Sequence, residues 1–295
     1  MDNFDIVLMG HFARDREVVG GEETDMLGGA VYFGAFPLKL MGVNVGVVTK
    51  LAEKDFPALS VFKEANIPVF ASRGPETTGM KNVYPTEERK ERTSYPIGFA
   101  GPFEPSDFPE LETRIIHIGA LLRGEVPAGM IRDLAVRGEI GLDLQGFVRV
   151  RKGRDVLMEE WEEAEEVLQH VTYLKADDRE IEILTGNRDF EDAAKKAAEM
   201  GPDEVVLTHN GGVVVYRNGE INSAPFTPEK LDGRTGRGDT CMATYLGRRV
   251  LGESPGEAAY FAAALTSLKL EEPGPYKGSM EEVQKVVERI KEKPG

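Results

Sequence analysis

A chain of 295 residues with 51 acidic against 36 basic side chains carries a net charge of −15, which argues against a nucleic-acid surface and against attraction to an anionic membrane. The single cysteine, Cys241, excludes an internal disulfide or a cysteine zinc cluster and fits a reducing cytoplasm, while His11, His117, His170 and His209 show no metal-ligand spacing. No apolar run approaches the roughly 20 residues that span a bilayer, and the acidic start MDNFDIVLMG lacks the features of a signal peptide, so a soluble cytoplasmic protein with ample length for a buried core is expected.

The stretch FDIVLMG reads as a first buried strand, and AVYFGAFPLKLMG as the helix after it, closed by Gly42. VNVGVVTKL is the next strand. From about 66 to 100 the texture changes. IPVFASR, TTGMKNVYP and RTSYPIGF are short extended pieces without helical period, which predicts a small β lid inserted into the main domain. Alternation resumes with the strand RIIHIGALL, the helix AGMIRDLAVRG, the strand EIGLDLQG, the acidic helix MEEWEEAEEVLQHV anchored by Trp161, and the strand VTYLKA. The helix FEDAAKKAAEMG puts Phe190, Ala193, Ala194, Ala197 and Met200 on one face. DEVVLTHNGGVVVY then reads as two strands around a glycine turn, and GEINSAPF continues the sheet. Two helices follow, at about 238 to 251 and 255 to 270, with Ala243 and Gly247 placed to face Ala258, Ala262 and Ala263. The tail SMEEVQKVVERIKEK reads as a surface helix capped by Ser279, with Glu282 at its third position. The pattern as a whole predicts one α/β domain over 1–295 with a mainly parallel sheet.

The segment GRTGRGDTCMATYLGRRV, 233 to 250, carries the chemistry. A glycine-rich turn opening a helix presents free N–H groups at the positive end of the helix dipole, a seat for an anion. An aspartate there conflicts with an anion unless it works beside a phosphate. Transfer of a phosphoryl group to an alcohol needs both a carboxylate to take the hydroxyl proton and donors for the charge on the phosphate oxygens. Gly236, Arg237 and Gly238 supply the donors and Asp239 the carboxylate. The same four residues also suit an ordinary turn in which Asp239 merely caps the helix, and the motif alone leaves both readings open.

Along nearly its whole length the sequence resembles the PfkB or ribokinase-like family of small-molecule kinases. The resemblance implies a three-layer α/β/α sandwich with a small β-sheet lid, ATP and Mg²⁺ as cofactors, and Asp239 as catalytic base over the anion hole Gly236–Gly238. It also matches the glycine pair Gly28 and Gly29 to a close approach of substrate, and Asp15 in GHFARD to a residue that holds substrate hydroxyls. Asp177 and Glu180 stand in the place of the family's N-x-x-E element, which organises water around magnesium, and Thr208 matches a threonine near the nucleotide phosphates. Lys175, just before the metal element, is either a contact to phosphate or a solvated charge at a strand end. Departures are as informative: Gly233 replaces an aspartate at the head of the motif, Arg237 an alanine and Asp177 an asparagine, while Phe33, behind Tyr32, replaces the asparagine that reads sugar hydroxyls.

DLQGFVRV sets Asp143, Gln145 and Arg149 at a strand end, where open α/β sheets meet ligands. It resembles the segment found in the branch with archaeal myo-inositol kinases; a strand, a glycine turn and a solvated arginine is the plain alternative. Arg92 is either a surface charge or a group closing over substrate. Cys241 reads as a packed side chain, and His209 and Asn210 receive no role. The expected activity is ATP-dependent phosphorylation of a sugar or cyclitol hydroxyl, with lid closure excluding water. The rivals are a nucleoside kinase using Tyr32 and Phe33 as a base slot, and a non-catalytic metabolite binder, against which Asp239 and its glycines argue. Strand edges on the lid suggest a homodimer.

Overall fold

The computed structural model describes residues 3–86 and 93–292. In chain order its elements are β1 (Asn3–Met9), β2 (Ala13–Val19), β3 (Glu22–Gly28), α1 (Ala30–Leu40), β4 (Val45–Leu51), α2 (Ser60–Glu64), β5 (Val69–Arg73), β6 (Gly79–Tyr84), β7 (Thr93–Gly98) and β8 (Glu112–Ile118). There follow α3 (Ala128–Ala135), β9 (Glu139–Asp143), α4 (Gln145–Val148), β10 (Arg149–Lys152), β11 (Asp155–Met158), α5 (Ala164–Leu168), β12 (Tyr173–Asp177), α6 (Asp178–Thr185) and α7 (Phe190–Ala198). The chain continues through β13 (Glu204–His209), β14 (Gly212–Arg217), β15 (Glu220–Pro225), α8 (Arg237–Val250), α9 (Pro255–Leu270) and α10 (Met280–Glu292).

Nine strands form the central sheet in the order β15-β14-β13-β12-β9-β8-β1-β4-β5. From β13 to β5 neighbouring strands are parallel, and β14 and β15 join antiparallel. Parallel strands buried on both faces need apolar side chains in both directions. In β1, Ile6 and Leu8 enter the core shared with α1, α8, α9 and α10. Val7 and Met9 enter the opposite core, with residues of α3, α5 and α7. The alternation read from the sequence is therefore the three-layer α/β/α architecture. The carboxyl ends of β9, β12 and β13 deliver Asp143, Asp177 and Thr208 to one edge of the sheet, where open parallel sheets bind ligands.

A second sheet, ordered β3-β2-β6-β7, stands over that edge as a lid. The expectation of a lid over 66–100 needs correcting on two counts. β5 belongs to the central sheet, paired parallel to β4. Half of the lid comes from β2 and β3, a hairpin between 13 and 28. Its charged strands, ARDREVV and EETDMLG, hide the strand signal, but Gly20 and Gly21, both at positive φ, make the two-residue turn that joins such hairpins. Where the lid meets the body, Thr78 Oγ1 lies 2.7 Å from His11 Nδ1 and accepts the N–H of Ala100 at 2.9 Å. Arg92 lies outside the described residues.

Two further expectations change. The acidic helix shrinks to α5, because the preceding residues turn back at Gly153 to pair β10 with β11; Trp161 lies outside any helix and stacks on Phe147, ring centroids 4.4 Å apart. Ala243 and Gly247 of α8 meet α1, and α8 packs along α9 as well. A Cβ on Gly34 would lie 2.9 Å from that of Ala243, and one on Gly247 would lie 2.4 Å from Met41 Cε. The tail helix is capped as its sequence indicates, Ser279 N–H donating to Glu282 at 2.8 Å and Glu282 N–H to Ser279 Oγ at 3.2 Å. No helix among the described residues is long and apolar enough to cross a membrane.

Because Gly34 and Ala243 meet without spare room, Gly34→Val is expected to force α1 and α8 apart. Overpacking of this kind costs about 1–3 kcal/mol, read as a lower midpoint in chemical denaturation.

Candidate active site

The head of α8 is set by one backbone conformation. Gly236, at φ +84°, caps the helix in the left-handed region, and no side chain caps it. A Cβ there would fall 2.2 Å from the ring of Phe33, so both the conformation and the contact require glycine. The first N–H groups of α8 thus lack intrahelical acceptors, and Gly236, Arg237, Gly238 and Asp239 all line a cleft of about 510 Å³ between sheet edge and lid. Asp239 is the third residue of the helix, not its cap. Among the described residues its carboxylate takes part in no hydrogen bond or ion pair. Burial and the nearby Asp143 raise its pKa to about 6, against the pull of Lys175, Arg149 and Lys269.

Behind the helix head lies a buried charge cluster. Lys175 Nζ is 3.1 Å from Asp143 Oδ1 and 3.5 Å from Glu180 Oε2, and it would be 3.0 Å from a Cβ on Gly238. Burial opposes its charge, but Asp143, Glu180 and Asp177 outweigh that and hold the ammonium protonated. Arg149 donates to Glu180 Oε1 at 3.0 Å and lies 3.9 Å from Asp177. Asp177 caps α6, accepting from the N–H groups of Arg179 and Glu180, while Glu180 accepts the N–H of Asp177 at 2.8 Å. Asp143 is buried and also accepts the N–H of Gln145 at 3.1 Å. Of the D-x-Q-G-F-x-R segment, Gln145 and Arg149 reach the cleft wall, and Asp143 stands behind as the support of Lys175.

The residues assigned to substrate fall differently. Asp15 sits in β2 and accepts the N–H of Met80 across the lid at 2.8 Å. Gly28 and Gly29 are glycines for internal reasons: a Cβ would meet Asp15 Oδ2 at 2.3 Å in the first case and His11 O at 2.2 Å in the second. Neither lines the cleft, and nor does Phe33, which is buried beneath Gly236. Tyr32 packs in the core against Phe12, Phe36 and Phe62, so the aromatic slot expected for a nucleoside base is absent from this pair.

Away from the lid, the cleft is lined by Thr208, Asn210, Arg179, Arg234 and Arg237. Arg237 donates to Asn210 Oδ1 at 2.9 Å, tying the β13–β14 turn to the anion hole. Its apolar lining, Met80, Tyr84, Val156 and Met158, belongs to the lid and β11. Asn210, Arg179 and Arg234 were missed as site residues. The first sits in a tight HNGG turn and the second just past the metal element, both positions that a strand-end argument reaches.

The carboxylates do not make a cage for a metal ion: no group of three His, Cys, Asp or Glu suited to one occurs among the described residues. Asp177 and Asp178 face the cleft. Glu180 does not, because both of its oxygens are engaged in the buried cluster. The chain therefore fits a magnesium ion carried in on phosphate oxygens and waters, as that ion prefers, rather than one held by the protein alone.

A model of the pfkB family carbohydrate kinases matches residues 20–282, and the chain belongs to that family. A cytidine kinase of Thermococcus kodakarensis is 27% identical over 254 residues, 82% of this chain and 87% of that protein. A solved pyrophosphate-dependent kinase of the ribokinase family, complexed with a pyrophosphate analogue and myo-inositol, superposes with a TM-score of 0.87 at 34% identity, covering 95% of this chain and 99% of its own. Another, a pyrophosphate-dependent myo-inositol-1 kinase converted into a myo-inositol-3 kinase by replacing an asparagine and a serine with leucine, gives 0.86 at 33% identity, covering 96% and 98%. The fold is ribokinase-like, and the chain is a kinase, a phosphotransferase.

Removing the central cation exposes what it neutralises. Lys175→Met leaves Asp143 buried without its ion-pair partner and Glu180 with Arg149 alone, a change that costs about 3–5 kcal/mol. The loss is expected to be larger at pH 8 than at pH 5, where the orphaned carboxyls take up protons, and denaturant titrations at the two values check it.

Proposed function

We propose that the protein transfers a phosphoryl group from pyrophosphate to a hydroxyl of a cyclitol of the myo-inositol type. The observation that carries this reading is the unengaged carboxylate of Asp239 beside the open N–H groups of Gly236–Gly238. The acceptor lies between Asp239 and the lid, with Asp15 on the lid side. Asp239 takes the hydroxyl proton, the oxygen–phosphorus bond to the acceptor forms, the bridging bond of the donor breaks, and inorganic phosphate leaves. The anion-hole N–H groups and Lys175 stabilise charge on the phosphoryl group in flight. Thr208, Arg179 and Arg237 hold the leaving phosphate, with arginine forks suited to its oxygens. Asp177 would hold Mg²⁺ through water, and the ion would supply further neutralisation.

The choice of donor follows from the lining. ATP, the donor implied by the family resemblance, brings an adenine that needs an apolar or aromatic seat. The cleft away from the lid offers guanidinium groups and an amide instead, and relatives at 34 and 33% identity use pyrophosphate. The choice of acceptor is supported by those same relatives and by the D-x-Q-G-F-x-R segment. A nucleoside acceptor is favoured by the cytidine kinase relative but lacks the Tyr32–Phe33 slot.

Phosphorus NMR of reactions pairing pyrophosphate or ATP with myo-inositol, ribose or cytidine tests both choices. The expected product is inositol monophosphate with inorganic phosphate, formed faster from pyrophosphate. Faster turnover with ATP overturns the donor, and preference for cytidine or ribose overturns the acceptor. Because the raised pKa of Asp239, about 6, leaves the base ionised only above that value, kcat/KM is expected to fall as pH drops through about 6. A pH–rate profile flat from pH 5 to 8 contradicts the role.

A further inference from the structure

One buried cation at the site has no part in the scheme above. Lys269 lies in the last turn of α9, 1% exposed, in a helix otherwise rich in alanine and leucine. Its Nζ donates to the carbonyl oxygen of Gly233, and the Phe33 ring centroid lies 5.3 Å away. The N–H of Gly233 donates in turn to Leu270 O at 2.9 Å. A Cβ on Gly233 would lie 1.9 Å from Glu272 O. The head of the loop that leads into α8 is therefore fastened to the end of α9 through both of its backbone polar groups.

A carbonyl needs only a neutral donor, and burying an ammonium to supply one costs far more. The charge must act on something else. Burial lowers the Lys269 pKa to about 8, against the raising influence of Asp239 and Glu17, so it is an ammonium at neutral pH. Of the charged groups that act on Asp239, Asp143 disfavours its ionisation, and Lys175, Arg149 and Lys269 favour it. Lys175 and Arg149 are already paired with Asp143 and Glu180. The hydrogen bond of Lys269 is to a neutral group, and its charge is left to act on Asp239 and Glu17.

We propose that Lys269 is a positioning residue for phosphoryl transfer: its ammonium pins Gly233, which fixes the turn that aims the N–H groups of Gly236–Gly238, and its charge keeps Asp239 ionised when anions enter the cleft. The inference rests on the reading of Asp239 as base. It explains why glycine heads the motif, since the turn docks on the helix end with no room for a side chain, and why a lysine occupies an apolar helix.

Two variants separate tether from charge. Lys269→Met removes both, and Lys269→Gln keeps an N–H donor without charge. Lys269→Met is expected to lower kcat at least about tenfold with the acceptor KM little changed, since misaimed anion-hole donors act on the transition state. Both variants are expected to move the acid limb of kcat/KM to higher pH, and added methylammonium to restore part of the rate in Lys269→Met while leaving the wild type unchanged. A purely structural lysine would leave the limb in place. Folded variants, checked by circular dichroism, that keep the wild-type kcat and limb overturn the inference while the Asp239 reading stands. Should Lys269→Met not fold, Lys269→Gln carries the test through its limb. Should the wild type itself transfer no phosphate, the Asp239 reading fails first. Calorimetry with pyrophosphate then decides the positioning role: binding weakened at least about tenfold in the variants supports it, and unchanged binding overturns it.

Discussion

The contact between the ring of Phe33 and the backbone of Gly236 is the constraint on which the rest of the site depends. It admits no side chain at 236 and seats the left-handed residue that starts α8 on the face of α1. The same two helices meet again at Gly34 and Ala243, so the direction of α8, and hence of its free N–H groups, is fixed at two points by close packing. Asp239 follows three residues later and inherits its position from that geometry. An ordinary cap would have consumed its carboxylate in the backbone; here glycine does the capping and the carboxylate remains for chemistry.

Charge at the site is organised in layers. A protein of net charge −15 repels phosphate over most of its surface, so binding requires a local reversal of sign. Arg179, Arg234 and Arg237 provide it at the cleft wall. Behind them, Lys175 and Arg149 are compensated by Asp143, Glu180 and Asp177, which keeps the cluster buried and rigid. A paired cation still presents its field to a ligand on its open side, and rigidity is what lets such a field act without reorganising during the reaction.

The α/β alternation was legible because parallel strands must be apolar on both faces, and the helix start at 236–237 was legible because glycines precede an amphipathic run, although the motif alone left its chemistry open. Other features were hidden for physical reasons. The β2–β3 hairpin is charged because one lid face meets water, so it lacks the apolar alternation that marks a strand. Asp143 and Glu180 look from sequence like cleft groups, since a strand end and a helix start both point there, but burial turns them into supports. Gly28 and Gly29 invite an argument about substrate approach, whereas the atoms that exclude a side chain belong to Asp15 and His11. Phe33 occupies a position where the family reads sugar hydroxyls, yet it packs beneath the anion hole, because a large ring next to an αL glycine fills the space a side chain would need.

The central claim is that Asp239 removes the acceptor proton while the head of α8 holds the group being passed. Its most direct test is the turnover of Asp239→Asn, which preserves size and polarity while abolishing the base, measured beside its affinity for pyrophosphate. Turnover is expected to fall by on the order of 10² or more, the usual worth of general-base assistance, with donor affinity nearly retained. Turnover close to that of the wild type would contradict the claim.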